Sequence, residues 1–290
     1  MVLIYLEVMN NESWRPIHYV VSSSCKLNSA DQFSIIQKMI KNNVNLEEKN
    51  NDSWRPIHFV SSDSNNMDSK NQLEAIKLLV DKGVNLEVEN RDSWRPIHFI
   101  SSNLNNLNSK DQLEAIKLII DKGVNLEVTN HDKCKPIHFI SGRTNNLSGL
   151  EHVEAIKYIV KQNVLLDDLN NEGMAPIHNI SGGEHTINSA LQRDIITLFV
   201  ESGANLELMN KELMRPIHYI LGESIMNYKD LKYIVKLLVT KNIDTDVYTS
   251  QGENPMDFLG KNNNLRKREK NKLAPYLAGL REDSEPESDD

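Results

Sequence analysis

The stretch Trp94-Arg95-Pro96-Ile97-His98-Phe99-Ile100 decides the fold, because its Pro-Ile-His centre also stands at Pro16, Pro56, Pro136, Pro176 and Pro216, with 40 residues between successive copies. A degenerate seventh copy, Pro255-Met256-Asp257, follows 39 residues after Pro216. Self-similarity at a fixed period is the mark of stacked units that each touch only their neighbours. The expectation is therefore one elongated domain with a continuous core, where length alone would suggest roughly two globular ones.

Working outward from that stretch, residues 90–129 read as one complete unit. Proline at the first turn has its φ pre-set for a helix, and Ile97, Phe99 and Ile100 give that short helix an apolar flank. It should end near Ser101-Ser102, where the Asn-rich run from Asn103 to Asn108 reads as a loop. Ser109 with Gln112 has the spacing of a capping box, and Ser29/Gln32, Ser69/Gln72, Ser148/Glu151 and Ser189/Gln192 repeat it. Beyond it, Leu113, Ile116, Leu118, Ile119 and Ile120 form the apolar face of a second helix. Its stop, Gly123, corresponds to Asn43, Gly83, Asn163, Gly203 and Asn242, the two residue types that best tolerate a left-handed helix C-cap. Val124 to Val128 then reads as a brief extended stretch before the turn-forming Asn130.

Two helices and an extended turn, with Pro96-Ile97-His98 opening the first helix and Gly123-Val124-Asn125-Leu126 closing the second, resemble the ankyrin repeat and its Thr-Pro-Leu-His and Gly-Ala-Asp-Val motifs. The resemblance covers about residues 10 to 280. It implies an all-α, ankyrin-type helical-repeat solenoid of about seven helix pairs with short extended finger turns. The units would be a partial finger at 1–9, six repeats at 10–49, 50–89, 90–129, 130–169, 170–209 and 210–248, and a degenerate capping repeat at 249–280. An acidic tail, 281–290, should be disordered. The chain departs from the family in three ways. Its period is 40 where the family's is about 33, with the extra residues between the helices of each pair. Arg15, Arg55, Arg95 and Arg215, with Lys135 and Ala175, stand where the family has threonine. Bulky Val60, Ile100, Ile140 and Ile180 replace a small alanine.

Composition narrows the class. Apolar residues make up 39% of the chain and mean hydropathy is -0.49; no run approaches the ~20 apolar residues of a membrane span. Met1 to Leu6 lacks a basic leader, so neither signal peptide nor anchor is expected, and a cytoplasmic location is. Cys25 and Cys134 lie three units apart and are expected to be free thiols. The net charge of -8 is concentrated at 281–290, which hold six acids and one arginine. The nearly neutral remainder argues against non-specific nucleic-acid binding. Lys261 to Lys272 reads as a basic closing helix, with a nuclear-import signal at Arg266-Lys267-Arg268 as the alternative.

Six in-phase histidines, His18, His58, His98, His138, His178 and His218, sit on successive units about 10 Å apart, too far to share a metal ion at ~2 Å. A structural role, bonding finger backbone, is expected; His131, His152 and His185 are isolated. No nucleophile-histidine, paired-carboxylate or phosphate-loop pattern occurs, so no catalytic residue, metal or cofactor is expected. The residue two before each proline is Trp14, Trp54, Trp94, Cys134, Met174 and Met214. The resemblance makes this the outward fingertip position that selects partners, so these residues with Arg15, Arg55 and Arg95 are the candidate partner-binding set. The alternative is that each indole packs internally against the neighbouring finger and its arginine. Glu7, Glu47, Glu87, Glu127, Asp167 and Glu207 recur in phase and read as a solvated face or an acidic track. Polar loops such as Ser61 to Asp68 read as exposed connections or a second contact surface.

These features predict a non-enzymatic scaffold that binds another protein through fingertips and first helices on the concave face, with no membrane partner. The alternative is an inhibitory or regulatory subunit modulated by the acidic tail, in which Ser284 and Ser288 are candidate phosphorylation sites. A nucleic-acid reader is the third class weighed. Residues 1–9 supply only part of a preceding unit, so a homodimer through that end is a further alternative.

Overall fold

A computed structural model describes residues 7–182 and 187–278. His185, the tail at 281–290 and its two serines lie outside the described residues, as do residues 1–6. The chain divides into two compact units, Met1–Leu165 and Leu166–Asp290. All regular structure among the described residues is helical.

In the first unit α1 (Pro16–Val21), α3 (Pro56–Ser61), α5 (Pro96–Ser101) and α7 (Pro136–Ser141) are the short first helices. The second helices are α2 (Ser29–Lys41), α4 (Ser69–Asp81), α6 (Ser109–Asp121) and α8 (Gly149–Val160), and a 3-10 turn at Ser23–Cys25 follows α1. First helices pack on first helices and second on second, while each pair also packs internally. The second unit repeats the plan with α9 (Pro176–Ser181) and α10 (Ser189–Glu201), α11 (Pro216–Gly222) and α12 (Tyr228–Thr240), and α13 (Pro255–Lys261) and α14 (Lys267–Leu277). The basic C-terminal segment forms the single closing helix α14, the second member of the seventh pair. Leu273 and Leu277 of α14 are buried in it.

The core follows the period. Ile57, Ile97 and Ile137 of the first helices face Ile76, Leu79, Ile116, Ile119, Ile156 and Ile159 of the second, all essentially sealed from solvent. Val60, Ile100 and Ile140 lie in this core despite their bulk. The second-helix stops of the first six repeats have positive φ: Asn43, Gly83 and Gly123, then Asn163, Gly203 and Asn242. The left-handed C-cap therefore closes each helix as its residue type suggests.

The expected serine capping boxes are not what starts the second helices. The cap is the residue before: Asn28, Asp68, Asn108, Asn188 and Asn227 accept the N–H three residues on. Asn-Ser offers two competent caps in a row, and tertiary bonding claims the serine. Ser29 Oγ accepts from Asp68 N at 2.9 Å, Ser69 Oγ from Asn108 N at 2.9 Å and Ser109 Oγ from Ser148 N at 2.9 Å. Ser148 does begin α8, but its side chain makes no cap bond.

The glutamines are buried bridges. Gln112 Nε2 donates to Ile100 O (2.8 Å) and Ser102 O (2.7 Å) of its own repeat, while its Oε1 accepts from Asn146 N of the next (2.9 Å). Gln32, Gln72 and Gln192 do likewise.

The inter-helix loops are not plain exposed connections. Loop backbones bond across repeats, as in Asp63 N to Leu104 O (2.9 Å). Asn106 and Asn146 reach back to the preceding loop's Asn65 and Asn105. Met67, Leu107 and Leu147 anchor each loop in the core. The extra residues of the long period therefore form a polar ladder with an apolar root.

Candidate protein-docking face

Each finger is a tight turn built by an asparagine. Asn50 Oδ1 accepts from Asp52 N (3.0 Å) and Trp54 N (2.8 Å), while Asn50 N donates to Trp54 O (3.0 Å). Successive fingers join through single backbone bonds, Asn51 N to Glu12 O and Arg91 N to Asp52 O. These turns make no strand; their single linking bonds are too sparse for a ladder.

The finger runs into the first helix through its histidine. His98 Nδ1 accepts the N–H of Arg95 at 3.0 Å, closing the free helix N-terminus, and Nε2 faces Val128 O at 3.2 Å. A ring nitrogen that accepts cannot carry the proton, so Nε2 is the protonated one and donates to the carbonyl. His18, His58 and His178 have the same two partners in register, Glu48 O, Val88 O and Leu208 O. His138 and His218 keep the first bond, to Lys135 N and Arg215 N. The bond expected from threonine in the family is thus supplied by backbone N–H, which any residue at that position offers. Burial pushes His58 and His98 down to about 4, and His18, His178 and His218 in the same direction.

The three tryptophans sit where the finger meets this helix, half-buried. Trp54 lies 4.8 Å from Phe59 of its own repeat and 5.3 Å from Phe99 of the next, ring centre to ring centre. Trp94 lies 4.8 Å from Phe99 and 5.2 Å from Phe139, and Trp14 lies 5.0 Å from Tyr19 and 5.3 Å from Phe59. All are tilted, the arrangement aromatic quadrupoles favour. The result is a continuous ladder of alternating indole and phenyl rings, in which Phe59 and Phe99 are each only 5% exposed. The phenylalanines were visible in the sequence at the same period but do not stand out from ordinary core residues there. The indoles are therefore neither free outward anchors nor swallowed: one side packs on the ladder and the other meets solvent. None of the three indole Nε1–H groups is buried, and none has an acceptor among the described residues.

Other candidates lie elsewhere. Met214 is 7% exposed, so the outward placement expected for it is corrected, while Met174 and Cys134 are half-buried. Cys25 and Cys134 form no disulfide. No arginine stacks on a tryptophan among the described residues. Instead Arg55 Nε donates to Glu47 O at 2.8 Å and Arg95 Nε to Glu87 O at 3.0 Å, with the same carboxylates at 3.7 and 3.8 Å. Arg15 bonds Glu48 at 2.7 Å, Arg215 pairs with Glu207 and Lys135 with Glu127.

The in-phase acids consequently form clamps rather than a solvated face or open track. Glu47 Oε1 also accepts Asn85 N (2.8 Å), Glu87 Oε1 accepts Asn125 N (2.7 Å), and Glu7, Glu127, Asp167 and Glu207 accept the corresponding N–H of the following repeat. The pattern acid at i, cation at i+8 was the available signal; the partner 38 residues on was not.

Among the described residues no group of three or more His, Cys, Asp or Glu is placed to hold a metal ion, and no helix is long and apolar enough to cross a membrane.

Comparison with known proteins agrees on architecture. The chain is similar to the ankyrin repeat domain of Bcl-3, a member of the IkappaB protein family, at 15% identity and a TM-score of 0.54; the match covers 91% of this chain and 99% of that one. It is similar also to an ankyrin repeat domain (ABAYE2397) from Acinetobacter baumannii AYE, at 15% identity and a TM-score of 0.56, covering 79% of this chain and 98% of that one. No protein-family model matches the sequence, and no curated protein does. The fold is the ankyrin-repeat fold, an all-helical repeat solenoid.

Proposed function

We propose that this chain is a non-enzymatic scaffold that holds a partner protein along its fingertips and first helices, centred on the first three repeats. The observation that carries the reading is the aromatic ladder with three unburied N–H donors that have no acceptor among the described residues. Half-buried indoles spend little conformational entropy on binding, because the ladder already fixes their rotamers. Their remaining exposed area, covered by a partner, contributes roughly 25 cal/mol per Å². Their N–H groups at the repeat spacing of about 10 Å suit acceptors on about every third residue of an extended chain. Trp and Arg are the residue types most enriched in binding hot spots, but here the arginines position the fingers and the indoles make the contact. The tested variant replaces Trp14, Trp54 and Trp94 by Phe, which keeps a ladder of rings and removes the donors and outer area. Affinity capture with wild-type and variant chains, followed by mass spectrometry, should show partners that the variant loses while its melting temperature stays close to wild type. Identical capture by both chains would sink the reading.

A further inference from the structure

The second helices change character toward the C-terminus. In α4 and α6 the mid-helix cations are matched: Lys77 Nζ lies 2.9 Å from Glu74 and 2.7 Å from Glu114, and Lys117 pairs with Glu154. In α12 the register position of Glu74, Glu114, Glu154 and Asp194 is occupied by Tyr233, and Lys236 has no acid beside it. Lys229, Lys232 and Lys236 share one face of α12 at helical spacing. The helix's single carboxylate, Asp230, is 5% exposed and taken by Arg193 at 2.6 Å.

Helix α14 packs on α12 and adds Arg268 and Lys272, eight and four residues before Tyr276 and so on its side of the helix, while its one acid, Glu269, is held by Arg266 at 2.9 Å. Tyr276 joins the two helices, its ring centre 5.9 Å from Lys232 Nζ and 5.5 Å from Lys236 Nζ. Among the described residues none of these five cations forms a salt bridge with a carboxylate.

We infer that this face of α12 and α14 is a docking surface for an acidic peptide segment of a partner protein. Charge complementarity carries the argument, and the rings choose between polyanions. Tyr276 has Lys232 and Lys236 over it, Tyr228 has Lys232 and Tyr233 has Arg193 (5.8 and 5.9 Å). Bases that bind such surfaces stack on open aromatic faces, and here cations occupy them. What remains is a row of ammonium and guanidinium groups, with the α12 stripe about 10 Å long. An extended peptide spans that in about three residues and can present carboxylates along it. The surface is made by second helices and is independent of the fingertip reading.

The test is fluorescence anisotropy of the full chain with labelled poly-L-glutamate, and in parallel with labelled oligo-dT, at low ionic strength. Poly-L-glutamate should bind, and Lys232→Glu with Lys236→Glu should weaken it about tenfold or more, while Trp54→Phe leaves it unchanged. Should that double variant lose its far-UV circular dichroism, Lys229→Ala with Arg268→Ala, on exposed ends of the stripe, should still weaken binding several-fold. Unchanged affinity in a folded charge variant overturns the proposal, as does absence of binding or tighter binding of oligo-dT. It is equally overturned if poly-L-glutamate binds only after the six acids at 282–290 are replaced by their amides, since the chain's own terminus would then hold the surface.

Discussion

Lowering the pH should destabilise this protein well before its carboxylates protonate in bulk, and the histidines set the size of the effect. His58 and His98 are pushed down to about 4 from 6.5, first by burial and further by the neighbouring Arg55 and Arg95, against the opposing pull of their carbonyl partners. Below pH 6.5 the unfolded chain takes up protons that the folded chain refuses, so stability is complete above that value and is lost as pH falls toward 4. At about pH 5 each of the two histidines costs about 2 kcal/mol relative to neutral pH, or about 4 kcal/mol together. His18, His178 and His218 add in the same direction. Against a typical total of about 5–15 kcal/mol, that is a large share. The geometry explains why no relaxation avoids it: a proton on Nδ1 would face the N–H of the residue it caps, as at His98 and Arg95. Urea unfolding followed by circular dichroism at about pH 7.5 and about pH 5 measures the loss. The double variant His58→Gln/His98→Gln isolates it, being weaker at neutral pH but less pH-dependent by about 4 kcal/mol. A wild-type stability that is flat over this range, or ring protons of both histidines titrating near 6.5, would refute the argument.

Other perturbations follow from single contacts. Trp54→Ala removes the ring contacts with His58, Phe59 and Phe99 and should cost about 2–4 kcal/mol in urea titrations, with Trp54→Phe costing clearly less. Leu213 holds φ at 57 while the same finger position in neighbouring repeats is Gly173 and Gly252, so Leu213→Gly should raise stability by about 1 kcal/mol, seen as a higher melting temperature. Gly222→Ala would put a methyl 2.7 Å from Phe258 Cδ1, and the forced separation of α11 from α13 should lower stability by about 1–3 kcal/mol. Gln112→Leu strands the carbonyl of Ile100 and the N–H of Asn146 in the interior, while Ser102 O keeps its bond from Asn105 Nδ2, and should cost about 2–3 kcal/mol by the same assay.

What could be read from the sequence was whatever depends on one residue and its near neighbours. Proline at N1 and Gly or Asn at the helix stop are local chemistry, and both placed their elements correctly. The start of the second helix was misread by one position because Asn108 and Ser109 are equally competent caps, and only the next repeat's Ser148 N decides between them. The acids at Glu47 and Glu87 looked like surface charge because their second partner, an N–H 38 residues on, belongs to stacking and not to any local motif. The loops looked idle for the same reason. The tryptophans were found by their period, but whether they point outward depends on Phe99 and Phe139, whose role shows only once neighbouring repeats are side by side.

The junction bonds have a genetic corollary. The serine, glutamine and acidic acceptors of one module meet the same backbone donors in the module after it, and residues 72–90 differ from 112–130 at only three positions. A crossover between copies shifted by one period therefore rejoins halves whose bonding groups already correspond. Array length can change by whole copies through unequal exchange, each product inheriting working seams, and the one interval a residue short keeps its serine, glutamine and acid bonds as well.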